Sequence, residues 1–166
     1  SGGLHGVGVS CVNALSDWLE AEVRRDGQIY HQRYERGHTA SKLEVIGKSK
    51  GTGTKVTFYP DGTIFSTLKF EWDIIANRCR ELAFLNKGIE IFLKQEEPAR
   101  EEKFFFKGGI AEFVEYLNRS KTALHPKVIY FEKEKDGIIA EIALQYTDAY
   151  NENIISFANN INTIEG

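Results

Sequence analysis

The residues Gly3-Leu4-His5-Gly6-Val7-Gly8 have the make-up of a loop that wraps an anion. A triphosphate needs several backbone N–H groups aimed at it, and glycine lets the backbone come close in conformations other residues resist. A helix starting at Gly8 adds its positive N-terminal dipole, and His5 supplies a donor for a terminal phosphate oxygen. A flexible connector has the same letters, so this short pattern alone leaves both readings open. Gly51-Thr52-Gly53-Thr54 is a second candidate, ahead of the β-branched and aromatic run Lys55 to Tyr59. A threonine hydroxyl at a strand start can bond a purine edge or an ordered water. A plain turn before a strand fits those residues as well. Arg25, beside Asp26-Gly27, taken alone reads as a solvated hairpin charge. The four histidines have no metal-ligand spacing, and no Ser/His/Asp order stands out. No catalytic residue and no metal ligand is assigned.

These candidates need elements to position them. Val9, Val12 and Leu15 share one helical face, giving a short helix that ends before Asp17. Residues 18–25 alternate as a half-buried strand, and Asp26-Gly27 turns it into a return strand through Ile29, Tyr30 and Tyr34. Leu43 to Ile46 and Lys55 to Tyr59 are further strands, the second closed by Pro60-Asp61-Gly62. The clearest helix runs from Glu71 to Asn86, with Trp72, Ile75, Cys79, Leu82 and Leu85 as its apolar stripe and Lys87-Gly88 as its stop. Strands follow at Ile89 to Leu93 and at Phe104 to Phe106. Gly108-Gly109 then opens a second unit, with an amphipathic helix over Ile110 to Asn118. Val128 to Glu134 and Ile138 to Tyr146 pair across a second Asp-Gly turn, and the remainder reads as polar and aromatic.

Composition narrows the class. With 42% hydrophobic and 27% charged residues in 166, the chain has the make-up of a globular protein, without a stretch apolar enough to cross a bilayer. Cys11 and Cys79 suit a reducing cytoplasm, both acting as small core residues. The net charge of −3 argues against a dedicated nucleic-acid surface, although a local basic run extends from Lys48 to Lys55. If DNA is a substrate, another part of the molecule is expected to grip it. Both ends read as cut, so an internal piece of a longer protein is expected.

The string Ser1 to Ser16 closely resembles the ATP-lid segment of bacterial type II DNA topoisomerase B subunits, members of the GHKL ATPase superfamily. Three more segments agree in order. Gly51 to Thr54 is similar to that family's adenine-side Gly-Thr motif, and Arg80 to Gly88 to its helix end. Gly108 to Asn118, with Phe157 to Thr163, resembles its transducer domain. The resemblance spans essentially the whole chain.

It implies an α+β fold: residues 1–107 as the C-terminal part of a Bergerat-type α/β sandwich, and 108–166 as part of a ribosomal-protein-S5-like transducer domain. Carried over by position, Gly3, Leu4, His5, Gly6, Val7 and Gly8 wrap the triphosphate of ATP. Gly53 and Thr54 sit beside adenine, and Arg25 lies at the rim of its pocket. The family's general-base Glu, its Mg²⁺-binding Asn and its adenine-binding Asp have no counterpart here, nor does its γ-phosphate lysine. The 166 residues alone are therefore expected to show no appreciable ATPase activity. Implied partners are a second B subunit on ATP binding, the A subunit in an A2B2 complex, and double-stranded DNA. The motifs are shared among the family's branches, and a non-hydrolysing dimerisation module is the rival from another class.

Overall fold

The computed structural model describes residues 6–163. The chain divides into two compact units, Gly2–Lys69 and Phe70–Gly166. The boundary expected at 107/108 lies inside the second.

In the first unit a short helix, α1 (Gly8–Ala14), precedes strands β1 (Ser16–Arg25), β2 (Gln28–Glu35), β3 (His38–Thr39), β4 (Glu44–Lys48) and β5 (Gly53–Pro60). They form one antiparallel sheet in the order β3-β2-β1-β5, with β4 also on β2. The Asp26-Gly27 turn has φ 53° and 77°, the left-handed pair a type I′ hairpin requires. Arg36-Gly37 makes the same turn, with φ 48° and 82°. Neither that turn nor β3 is expected from the sequence, because arginine rarely takes this conformation. Arg36 is held there by Asp61, 2.8 Å from its Nε, and Asp17, 3.2 Å from Nη2. A Cβ on Gly37 would stand 3.3 Å from the Ala14 Cα, so a side chain there would also crowd α1.

α1 ends slightly earlier than expected. The Ser16 hydroxyl donates to the Val12 carbonyl at 2.6 Å while Ser16 itself begins β1. The helix packs against β1, β2 and β5, yet it fully buries none of its residues. Cys11 is exposed, which corrects its expected place in a core.

The second unit holds α2 (Trp72–Leu85), strands β6 (Ile91–Gln95) and β7 (Arg100–Phe104), α3 (Ile110–Asn118), β8 (Ile129–Lys135), β9 (Ile138–Leu144), β10 (Ser156–Ala158) and β11 (Ile161–Thr163). The strands pair as three antiparallel hairpins, β6-β7, β8-β9 and β10-β11. The core seam of α2 is built on Ala76 and Ala83, buried against Phe104, with Trp72, Cys79, Ile91 and Leu93 around them. The expected stripe of larger residues is thus displaced: alanine lets the hairpin approach, and Ile75 and Leu82 lie beside the seam, half-buried. Burial pushes the Cys79 thiol above its ordinary pKa, with the Glu102 carboxylate adding to it. Strand β7 ends at Phe104 rather than starting there, because Arg100 to Lys103 pair with β6 and leave Phe106 to pack from a loop. Phe84, 1% exposed, stacks on Phe106 at 3.6 Å and Phe113 at 4.9 Å between ring centres, joining α2 to α3. The 110–118 helix and the Asp136-Gly137 hairpin fall where the sequence put them.

Candidate functional site

Three of the candidate residues meet at one end of the first sheet. The β1–β5 register pairs Val23 with Thr54 and Arg24 with Gly53, and Arg25 follows directly at the hairpin tip. Gly53, Thr54 and Arg25 are all exposed. A Cβ on Gly53 would meet nothing within 4 Å, so the space over this backbone is open. The Thr54 hydroxyl makes no hydrogen bond with another described residue, which leaves it available to a ligand. The Arg25 Nε lies 3.4 Å from the Asp26 carboxylate, both largely in solvent, so this pair contributes little and can open.

The glycine loop is only partly described. Gly3, Leu4 and His5 lie outside the described residues. Gly6 has φ 84°, a left-handed conformation that suits glycine, and a Cβ there or on Gly8 would meet nothing within 4 Å. Val7 caps α1 without a side-chain hydrogen bond, so the first amides of that helix carry no protein side-chain acceptor. The loop feeds α1, whose far end joins β1 at Ser16, roughly 30 Å of strand from Arg25. No hydrogen bond among the described residues joins Gly6, Val7 or Gly8 to Arg25, Gly53 or Thr54.

The opposite end of β1 carries charges that the sequence motifs do not single out. Arg33 donates to Glu20 at 2.7 Å, lies 3.5 Å from Glu35 and stacks over the Trp18 ring at 5.2 Å. Glu20 holds the Arg33 guanidinium above its ordinary pKa, against some burial. The buried Asp61 carboxylate accepts from the Thr63 hydroxyl at 2.7 Å, from the Thr63 amide at 2.8 Å and from Arg36. Those bonds, Thr63's first, hold it below the usual carboxylate range. Asp17, Trp18, Arg33, Glu35, Arg36 and His38 line an open cavity of about 350 Å³ here. Its arginines are already paired, which marks a structural ion-pair network rather than a ligand site. Register alternation puts Glu20, Arg33 and His31 close together on the sheet, so a charge count by strand parity was the signal available.

In the second unit the Arg80 to Gly88 string fastens elements together. Arg80 lies over the Phe104 and Tyr116 rings and bonds Glu102 at 2.8 Å. Asn86 accepts from Asn160 Nδ2 at 2.9 Å, and Lys87 donates to the Tyr130 hydroxyl at 2.9 Å with Glu141 at 3.5 Å. Among the described residues no three His, Cys, Asp or Glu side chains come together as a metal-binding group, so no step is derived through a metal.

With this geometry in place, the likenesses to known proteins are direct. A family model described as DNA gyrase B matches residues 109–166. The chain is 55% identical over its whole length to the DNA gyrase B subunit of Halalkalibacterium halodurans, covering 26% of that protein. It is 52% identical to the corresponding gyrase protein of Thermotoga maritima, again over its whole length and 27% of that protein. The chain thus spans about a quarter of the length of these relatives. Among solved structures, 95% of it superposes on 44% of the 43K ATPase domain of Thermus thermophilus gyrase B, determined in complex with an aminocoumarin, at a TM-score of 0.86 and 36% identity. The B-subunit of the gyrase from Myxococcus xanthus gives a TM-score of 0.85 at 27% identity, over 92% of this chain and 45% of that one. The α+β fold expected from the motifs is the one these structures share.

Proposed function

The chain belongs to the DNA gyrase B family, and from that premise we propose that it forms part of the ATP-operated gate of a type II topoisomerase, whose closure drives strand passage and negative supercoiling of DNA. The observation that carries this reading is the β1–β5 register, which sets Gly53 and Thr54 beside Arg25 on an open sheet end. Thr54 bonds the purine edge or a water beside it, Gly53 lets the ring come close, and Arg25 forms the rim. The backbone amides from Gly3 to Gly8 face the phosphates, with Leu4 and His5 nearest the γ-phosphate and the dipole of α1 behind them. ATP supplies a phosphoanhydride whose binding and cleavage favour different arrangements of the gate.

Mg²⁺ belongs with the phosphates, on ligands outside this chain. A second B subunit joins on ATP binding, the gyrase A subunit completes an A2B2 complex, and the substrate is double-stranded DNA in the cytoplasm. No helix of the described residues is long and apolar enough to cross a membrane. The family match starting at Gly109 supports a division of labour at 107/108, with the transducer part beginning there. The fastening of Asn86 and Lys87 to β8 and to Asn160 then gives the relay a physical path.

The test is binding of a non-hydrolysable ATP analogue to a full-length protein carrying these residues, with Mg²⁺. Affinity falls in Thr54→Ala and Arg25→Ala if the reading holds, and both variants bind as the parent does if it fails. The B subunit of topoisomerase IV shares the motifs, and a supercoiling assay against a decatenation assay separates the two. Nucleotide-dependent dimerisation with no hydrolysis by the full-length protein would instead favour a dimerisation module.

A further inference from the structure

The basic run from Lys48 to Lys55, left aside by the nucleotide site, acquires neighbours in the fold. Lys48 ends β4 and pairs with Gln28 of β2, whose other partner is Arg25, and Arg24 pairs with Gly53 of β5. The Ser49 amide donates to the Gly27 carbonyl at 3.0 Å, tying the loop that carries Lys48 and Lys50 to the Asp26-Gly27 turn. Arg24, Arg25, Lys48 and Lys50 therefore line one edge of the sheet across four strands, and all four are exposed. Lys55 is taken by Glu22 at 3.1 Å and Arg25 by Asp26. Arg24, Lys48 and Lys50 make no ion pair with another described residue, in a chain whose net charge is −3.

We propose that this row, Arg24, Lys48 and Lys50, is a docking surface for the phosphate backbone of duplex DNA, adjoining the nucleotide site but separate from it. Three inter-strand spacings make the row roughly 15 Å long. A duplex carries one phosphate charge per about 1.7 Å, so that length faces about nine charges. A row of cations spread over four strands suits an extended polyanion better than a compact one such as a free triphosphate. No side chain here is placed to read base edges within a groove, so the contact is with phosphates and carries no sequence preference. The proposal rests on the reading of this chain as part of a DNA-acting protein.

The experiment compares a full-length gyrase B protein carrying this stretch with its Arg24→Gln/Lys48→Gln/Lys50→Gln variant. Binding to a fluorescent duplex is followed by anisotropy from about 50 to about 200 mM salt, with unlabelled inorganic tripolyphosphate as a competitor. ATP-analogue binding and thermal melting are measured on the same samples. Losing three phosphate contacts lowers the slope of log affinity against log salt by about 2.7, so the parent loses roughly 40-fold more affinity across that range than the variant does. The loss is the same for unrelated sequences, with melting and analogue binding unchanged. Equal slopes for parent and variant overturn the proposal, as does displacement by tripolyphosphate at the phosphate concentration at which duplex competes. Analogue binding intact beside equal slopes refutes the DNA surface alone. Analogue binding absent from the parent refutes the nucleotide reading instead.

Discussion

Arg36 shows how a single residue escapes sequence reasoning. Its left-handed backbone, φ 48°, disfavours an arginine, and what offsets the strain lies 19 and 25 positions away in Asp17 and Asp61. Asp61 in turn carries a pH signature. Its carboxyl is held below the ordinary range by Thr63 first and Arg36 after, and Asp148 is held low by the Thr122 hydroxyl and amide. A depressed folded-state pKa contributes stability above the unfolded value of about 3.9 that is lost as pH falls through the folded value. Urea midpoints should therefore drop as pH is lowered below about 4, and Asp61→Asn/Asp148→Asn should flatten that dependence. An unchanged slope in the double variant would show that other carboxyls govern acid unfolding. At the site itself, Thr54 was legible because a Gly-Thr pair before a strand is a rare spelling of a plain turn. Its exposed, unpaired hydroxyl accounts for one hydrogen bond to ligand, about 0.5–1.5 kcal/mol. Thr54→Ala should weaken analogue binding roughly 2- to 13-fold with little effect on melting.

Among elements, legibility followed turn chemistry. The Asp26-Gly27 and Asp136-Gly137 hairpins could be read directly, since those dipeptides supply two positive φ angles at little cost. Asn159-Asn160 makes the same kind of turn, with φ 49° and 66°, and joins two strands of only three residues, too short to show alternation. The α2 seam was misplaced for a different reason. Hydrophobicity favours the large side chains, whereas close approach of β6-β7 selects Ala76 and Ala83. Two substitutions test these elements. Phe84→Ala removes the ring stacked between Phe106 and Phe113 and should cost roughly 3–5 kcal/mol in urea unfolding; a loss under about 1 kcal/mol would mean that α3 does not depend on that stack. Gly109 caps α3 with φ 61° and ψ −139°, and a Cβ there would clash with the Lys87 side chain. Gly109→Ala should cost about 1–3 kcal/mol and loosen Lys87 from Tyr130, seen as a changed tyrosine titration.

For the molecule as a whole, the buried apolar side chains among the described residues are Leu19, Ala76, Ala83, Phe84 and Phe104. Against these stand many exposed ones, among them Val56 on β5 and Ile129, Phe131, Ile138 and Ile142 on the β8-β9 ribbon. Among the described residues β5 pairs on one side only, with β1, so its other edge is a template for another strand. The 166-residue chain is therefore expected to associate in sedimentation runs at micromolar concentration, and Val56→Lys to reduce that association. A monodisperse parent chain would contradict this. That such surface should exist was expected from the motifs, but its location on β5 and β8-β9 needed the strand pairing.

The central claim is that Arg25, Gly53 and Thr54 are one side of an ATP site. Its most direct test is calorimetric titration of a non-hydrolysable ATP analogue, with Mg²⁺, into the full-length protein and its Thr54→Ala and Arg25→Ala variants. The account predicts saturable binding by the parent and a clear loss of affinity in both variants at unchanged stoichiometry. Equal affinity in all three proteins would contradict it.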